Sequence, residues 1–302
     1  MSDPRLYTIG YICPTFTDFT AAQISLDEEH GLLKSPSHDD HNAYTIGRIG
    51  KHNVALTFVT GSRTPSTTTV ATAMRITFPN LRIIFLVGAA SGVPSPQHDI
   101  RLGDVVVGVD GENQTAVQIY YVWLPKGGAF LNQGPRFIDQ LSSLREALDR
   151  LRRRHDMRSL EKVVTEMVEK NVGPDAKERF MRPPSHTDRL YRSDICHVGT
   201  DCIGCDPSGL IVRHNRPNSA VHYVVIGSGD YRIQHAVDRD CIVRGTDVLC
   251  LDNEAVGLVD AFPCLVVRGI SNYADVHASD RWEMYAALMA AAYMRGLLEE
   301  ID

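Results

Sequence analysis

Carboxylates, an amide and a guanidinium group cluster late in the chain, each directly after an apolar run. Residues 248–251 lead into Asp252-Asn253-Glu254, and residues 264–267 lead into Arg268, Ser271, Asn272 and Asp275. Polar groups just beyond the carboxyl ends of neighbouring strands are where open α/β sheets bind ligands. An ionised Glu254 accepts two hydrogen bonds, which suits a vicinal diol such as that of a ribose; the plainer account is a carboxylate at a helix start, stabilised by the macrodipole. Far upstream, Asp18 is suited to cap the helix expected from Phe19. Ser228 and Asp230 follow another apolar run. Beside them, Arg232 is suited to stacking on a ring or pairing with a carboxylate, with solvent exposure as the bland alternative, in which Tyr231 or Ile233 lines a pocket instead.

His197, Cys202 and Cys205 have the spacing of part of a zinc site, with Cys196 or His214 as the fourth ligand. Free thiols in a loop are the competing account. Cys13, Cys250 and Cys264 sit in apolar runs and read as buried thiols. No cofactor and no catalytic metal is expected.

The elements that must position these groups alternate between strand and helix. Strands are expected at 8–13, 82–87, 105–109 and 221–226, helices at 19–29 and 67–78, and a hairpin from 42–49 and 53–60 across Gly50 and Lys51. Such alternation predicts an α/β fold with a mostly parallel sheet covered on both faces. The stretch 110–218 has a weaker signal. It reads as an elaboration of one domain spanning 1–302, with no long sheet-forming run of its own.

Composition bounds the rest. The chain has 302 residues, 43% hydrophobic and 23% charged, with a formal net charge of −6. It is long enough to bury a substantial core, and its negative balance argues against a nucleic-acid partner. The basic cluster of Arg150, Arg152, Arg153 and Arg154 reads as a solvated helix face, since Leu141, Leu144, Leu148 and Leu151 recur beside it at helical spacing. No apolar run is long enough to span a membrane. No secretory signal begins the sequence, so a reducing cytoplasm is the expected location.

Read together, these segments resemble the purine nucleoside and uridine phosphorylase superfamily, which includes the methylthioadenosine-type nucleosidases, and most of all its fungal branch. The resemblance is carried by Tyr7-Thr-Ile-Gly-Tyr-Ile-Cys13, Asp27-Glu-Glu-His30, Tyr44-Thr-Ile-Gly-Arg-Ile-Gly50, Val87-Gly-Ala-Ala-Ser-Gly-Val-Pro-Ser95, His98-Asp-Ile-Arg-Leu-Gly-Asp-Val-Val-Val107, the two C-terminal segments and the helix at 281–299. It implies a three-layer α/β/α architecture, nucleoside phosphorylase-like, with a twisted mixed central sheet. It also implies a small-molecule substrate and a homo-oligomer, at least a dimer. By the resemblance, Asp18 stands where nucleosidases usually carry a water-activating Glu. Glu254 stands at the ribose position, Ser228 to Ile233 along the base pocket, and Gly88 and Ala89 at the turn ending the central strand.

The sequence also departs from that pattern. Asn253 replaces a Met under the sugar, and Asp252 replaces the Glu before it. Asn272 replaces the Asp that protonates the departing purine; some trimeric members use Asn comparably for 6-oxopurines. Many bacterial members place an Arg just before the central turn, where this chain is apolar. Arg63 and the hydroxyls of residues 66–69, Thr67 among them, are the substitute phosphate ligands, although a polar loop and a helix cap explain them equally well.

The leading expectation is N-glycosidic cleavage of a purine-type nucleoside, by hydrolysis in preference to phosphorolysis. Asp18 would activate water, Glu254 would hold the sugar and Asn272 would bind the leaving base. The alternative is a scaffold turned to a biosynthetic cyclase or isomerase, with Arg232, Asn253 and Asn272 positioning an apolar carboxylate- or carbonyl-bearing molecule. A non-catalytic binding module is the third expectation.

Overall fold

The structure is a computed structural model that describes residues 2–34, 39–60, 66–110, 115–123, 128–133, 142–153, 160–199, 202–244, 246–259, 262 and 264–301. Arg63, Leu141 and Arg154 lie outside the described residues.

Runs of β-branched and aliphatic residues form a mixed sheet of eleven strands. They are β1 (Ile9–Cys13), β2 (Glu28–Glu29), β3 (Thr45–Ile49), β4 (His52–Phe58), β5 (Ile83–Gly92), β6 (Val105–Gly108), β7 (Val117–Trp123), β8 (Gly128–Gln133), β9 (Val221–Gly229), β10 (Val248–Asp252) and β11 (Cys264–Asn272). Every residue of β1 and β10 is buried, as are the first eight of β11. Such continuous apolar runs mark strands covered on both faces. The order is β2-β3-β4-β1-β5-β11-β6-β9-β7-β8, and β10 pairs with both β5 and β9. β10 thereby closes β5, β11, β6 and β9 into a ring.

The register of β5 brings the two C-terminal segments together. Its first part runs parallel to β1 and β11, while its last residues pair antiparallel with β10. Ser91 is opposite Leu251 on one side and Asn272 on the other. The polar residues that follow Leu251 and those that end β11 therefore emerge at one place.

The helices are α1 (Phe16–Ile24), α2 (Ser66–Thr77), α3 (Ser142–Arg153), α4 (Leu160–Asn171), α5 (Ala236–Val243), α6 (Val256–Val259) and α7 (Glu283–Glu300). α7 is buried almost continuously from Tyr285 to Leu298, packed between the sheet and α1, α3 and α4. A helix that is apolar all round belongs inside a core, and each fully buried Leu or Met there contributes about 1.5–3 kcal/mol. Gly269 permits this packing. A Cβ on it would sit 1.8 Å from the Ala286 carbonyl oxygen, so β11 and α7 meet backbone to backbone.

Two expectations are corrected. The helical stretch expected at 19–29 starts and ends earlier, at Phe16–Ile24, and Glu28–Glu29 pair with β3 as a short strand. The segment 110–218 does contribute to the sheet, since β7 and β8 form an antiparallel hairpin and β7 pairs with β9. On α3, Leu144, Leu148 and Leu151 are buried, as their spacing indicates.

Candidate active site

A cavity of about 400 Å³ opens where β1, β5, β10 and β11 end, a size in the range of small-ligand sites. Asp18, Glu254 and Asn272 all line it.

Asp18 reaches it through a capping box. Thr15 is the N-cap of α1, and its hydroxyl accepts the Asp18 N–H at 3.2 Å. In return Asp18 Oδ2 accepts the Thr15 N–H at 3.1 Å and the Thr15 hydroxyl at 2.8 Å. The other oxygen, Oδ1, accepts the Ala89 N–H at 2.7 Å. Asp18 is thus the third residue of α1 and not its cap, which corrects one expectation. Burial pushes its carboxyl up to about 6, against the lowering effect of the Ala89 and Thr15 donors and of the Arg268 charge. Gly88 makes room for it: a Cβ there would lie 2.5 Å from Asp18 Cγ and 2.7 Å from Pro14 Cδ.

The acidic segment is anchored from below. Arg268, fully buried, donates from Nε and Nη2 to Asp252 Oδ2 at 2.9 and 2.6 Å, and from Nη2 to Glu254 Oε2 at 3.3 Å. Asp252 Oδ1 accepts the Ser228 hydroxyl and the Ala255 N–H. Ser228 in turn accepts the Val256 N–H at 2.8 Å. Burial raises the Glu254 pKa; Arg268 opposes that shift and the charge of Asp252 adds to it. Glu254 keeps 29% of its side chain exposed, so it remains available to a ligand.

Asn272 is oriented by its own turn. Its Oδ1 accepts the Ala274 N–H at 2.9 Å and its Nδ2 donates to Ser271 Oγ at 3.2 Å. Asn272 lines the cavity with one of its amide hydrogens engaged by Ser271. Arg232, exposed, lines the cavity together with Glu283 and Asp280. Burial and Asp280 raise the Glu283 pKa, and Arg232 counters them. Of the described lining residues, five are carboxylates and Arg232 is the one cation, with Arg268 beneath.

The remaining expected residues divide. Asn253, Ala89 and Ser271 line the cavity; Asp252 does too, though its oxygens are engaged by protein donors. The Ala89 N–H is committed to Asp18, so it does not cradle an anion. Ser228 is fully buried and works beneath Asp252. Asp230 and Tyr231 are exposed outside the described lining. Ile233 is buried in an apolar cluster with Tyr120 and Val225. Thr67 is buried and is not among the described lining residues. Sequence reasoning assigned no role to Arg268, Thr15 or Glu283.

Of the expected zinc residues, His197, Cys202 and Cys205 do come together. The fourth member is His277, not Cys196 or His214: ligand atoms of these four side chains lie within 4.8 Å of one another. Cys196 is exposed. Cys13, Cys250 and Cys264 are buried, as expected.

The fold is that of nucleoside phosphorylase-like nucleosidases. The chain aligns over 97% of its length, and 99% of the other, with 5′-methylthioadenosine/S-adenosylhomocysteine nucleosidase of Neisseria meningitidis bound to methylthio-immucillin-A, at a TM-score of 0.56 and 12% identity. It aligns over 98% of both chains with S-adenosylhomocysteine nucleosidase of Streptococcus pyogenes (TM-score 0.55, 18% identity) and with futalosine hydrolase of Helicobacter pylori (TM-score 0.53, 14% identity). In sequence it is 33% identical over 297 residues to a nucleotide-binding leucine-rich repeat (NLR)-like protein of the fungus Hyaloscypha variabilis. That match takes in 98% of this chain and 29% of the relative's length. No family model matches the chain. Among the described residues, no helix is long and apolar enough to cross a membrane.

Proposed function

We propose that this chain hydrolyses the N-glycosidic bond of a purine-type nucleoside. The observation that carries the reading is the convergence of Asp18, Glu254 and Asn272 on one cavity of about 400 Å³, five of whose described lining residues are carboxylates. Glu254 accepts the two ribose hydroxyls, and Arg268 fixes its orientation from below. Asp18, as carboxylate, takes a proton from water while the water oxygen bonds to the anomeric carbon and the C–N bond breaks. The electron pair of that bond leaves with the base. Asn272 donates an N–H to the base but supplies no proton, so the proton that neutralises the leaving group comes from solvent.

The acidity of the cavity also selects between reactions. Oxocarbenium character developing on the sugar is stabilised by surrounding carboxylates. A phosphate dianion or a carboxylate-bearing ligand meets the same carboxylates as a repulsion. Arg232 offers one guanidinium against that field, and Glu283 already offsets it. These relations support hydrolysis over phosphorolysis and over the cyclase or isomerase alternative. The H. variabilis protein is named for nucleotide binding, but the matched part is 29% of it, so the name does not allot that activity to the matched part.

Paired substitutions test the reading. Glu254→Gln should weaken sugar binding and raise KM, whereas Asp18→Asn should lower kcat by about 10²–10⁴-fold. Full nucleoside hydrolysis by both variants would overturn it.

A further inference from the structure

We propose that His197, Cys202, Cys205 and His277 bind a structural Zn²⁺ ion that ties the loop around residues 197–205 to the segment following Asn272. The four sulfur–nitrogen separations are 3.4, 3.5, 3.5 and 3.7 Å, each from a Cys Sγ to an imidazole Nδ1. A tetrahedral ion with Zn–S near 2.3 Å and Zn–N near 2.0–2.1 Å sets its sulfur and nitrogen ligands about 3.6 Å apart. The separations in this cluster match that requirement before any ion is placed.

Second contacts orient the ligands. The His277 Nε2 faces the Ile195 carbonyl oxygen at 3.2 Å. A proton held there fixes the tautomer whose bare Nδ1 points at the two sulfurs, the usual partnership of a zinc-bound histidine. Tyr191 stacks on the same ring at 4.1 Å with 19° between planes. Cys205 Sγ accepts the Val198 N–H at 3.3 Å, a contact that helps hold the sulfur in place. Cys202 holds a φ of 64°, a left-handed conformation that is costly for a non-glycine residue. Coordination offsets that cost.

The donor set identifies the ion and its role. Two thiolates and two imidazoles in a tetrahedron suit Zn²⁺ and are poor ligands for Mg²⁺ or Ca²⁺. Four protein ligands leave no open position, so the ion is structural and not catalytic. His277 lies five residues beyond Asn272 in the segment that leaves β11. A second cavity of about 280 Å³ touches His197, Cys202 and His277 and shares Ser271, Asn272, Ala278 and Ser279 with the first. The ion therefore braces the wall that carries Asn272. The metal site stands without the nucleosidase reading; only the statement that this wall is the base side rests on it.

The test uses the full chain and measures metal. Purified protein should carry about one zinc per chain by elemental analysis. Cobalt reconstitution should give the intense visible bands and thiolate charge transfer of a tetrahedral centre. Cys202→Ser and Cys205→Ser should lose the zinc, while Cys196→Ser, outside the cluster, should keep it. If the first two variants do not fold, the wild-type protein still decides. Alkylation followed by peptide mass spectrometry should find Cys202 and Cys205 protected with zinc bound and modified after chelation, with Cys196 modified in both. A chain that takes up no stoichiometric zinc, an octahedral cobalt spectrum, or a Cys202–Cys205 disulfide in freshly isolated protein would overturn the proposal. Zinc without nucleoside cleavage would leave the metal site standing and count against the nucleosidase reading alone.

Discussion

Arg268 on β11 grips Asp252 on β10 with Nη2 2.6 Å from Oδ2, although the two strands pair with β5 and not with each other. The side chains are 0% and 1% exposed. The pair locks the end of β10 to β11 and sets the position of Glu254, so structure and site share one interaction.

Removing one partner of such a pair leaves an uncompensated buried charge. Arg268→Met should destabilise the fold by about 3–5 kcal/mol in denaturant titration. Asp252→Asn combined with it should recover part of that loss. Arg232→Ala, at an exposed rim position, should change stability by less than about 0.5 kcal/mol.

Asp18 should leave its mark on pH profiles. Its carboxyl is raised from 3.8 to about 6, chiefly by burial, and only the ionised form takes a proton from water. The kcat/KM for a cleaved nucleoside should rise with pH through about 6, and that limb should vanish in Asp18→Asn. Stability should run the other way. Between pH 3.8 and about 6 the folded chain binds more protons than the unfolded one. This contribution, of order 3 kcal/mol, is complete below the lower pH, is lost as pH rises through the upper one, and should be missing from Asp18→Asn.

Gly88→Ala isolates position from chemistry. The new methyl would meet Asp18 Cγ at 2.5 Å and Pro14 Cδ at 2.7 Å. The expected cost is about 1–3 kcal/mol of stability, with a larger fractional loss of nucleoside cleavage, since Asp18 must move. Comparing thermal melts with turnover checks this.

The scaffold was legible because buried strands announce themselves: β1, β5, β10 and β11 are apolar runs ended by polar residues, and Glu254 and Asn272 follow from that pattern. The β7–β8 hairpin was missed although Val117, Ile119, Tyr120 and Val122 carry a strand signal; the polar helices around it obscured the run. Ser228, expected along the base pocket, lies beneath Asp252 instead, and Arg268 gained its role only from contacts between strands far apart in sequence. His277 was hidden for the same reason, since 72 residues separate it from Cys205 and the fold alone joins them. Ile233 was misplaced because a loop after a strand gives no periodicity from which to assign faces.

Asn272→Asp should raise cleavage of adenine-type nucleosides. The Ala274 N–H that Asn272 Oδ1 now accepts would serve a carboxyl equally. The surrounding carboxylates would favour the protonated form of a new acid, and a positioned general acid is worth roughly 10²–10⁴-fold. An unchanged or lower rate in an intact variant would count against Asn272 lying at the leaving base.

The most direct measurement is base release from a panel of purine nucleosides, with and without inorganic phosphate, by wild-type protein and Asn272→Asp. The account expects free base and free sugar at rates indifferent to phosphate, with no sugar 1-phosphate formed. Strict dependence on phosphate, or no release from any nucleoside by either protein while the cavity is intact, would contradict it.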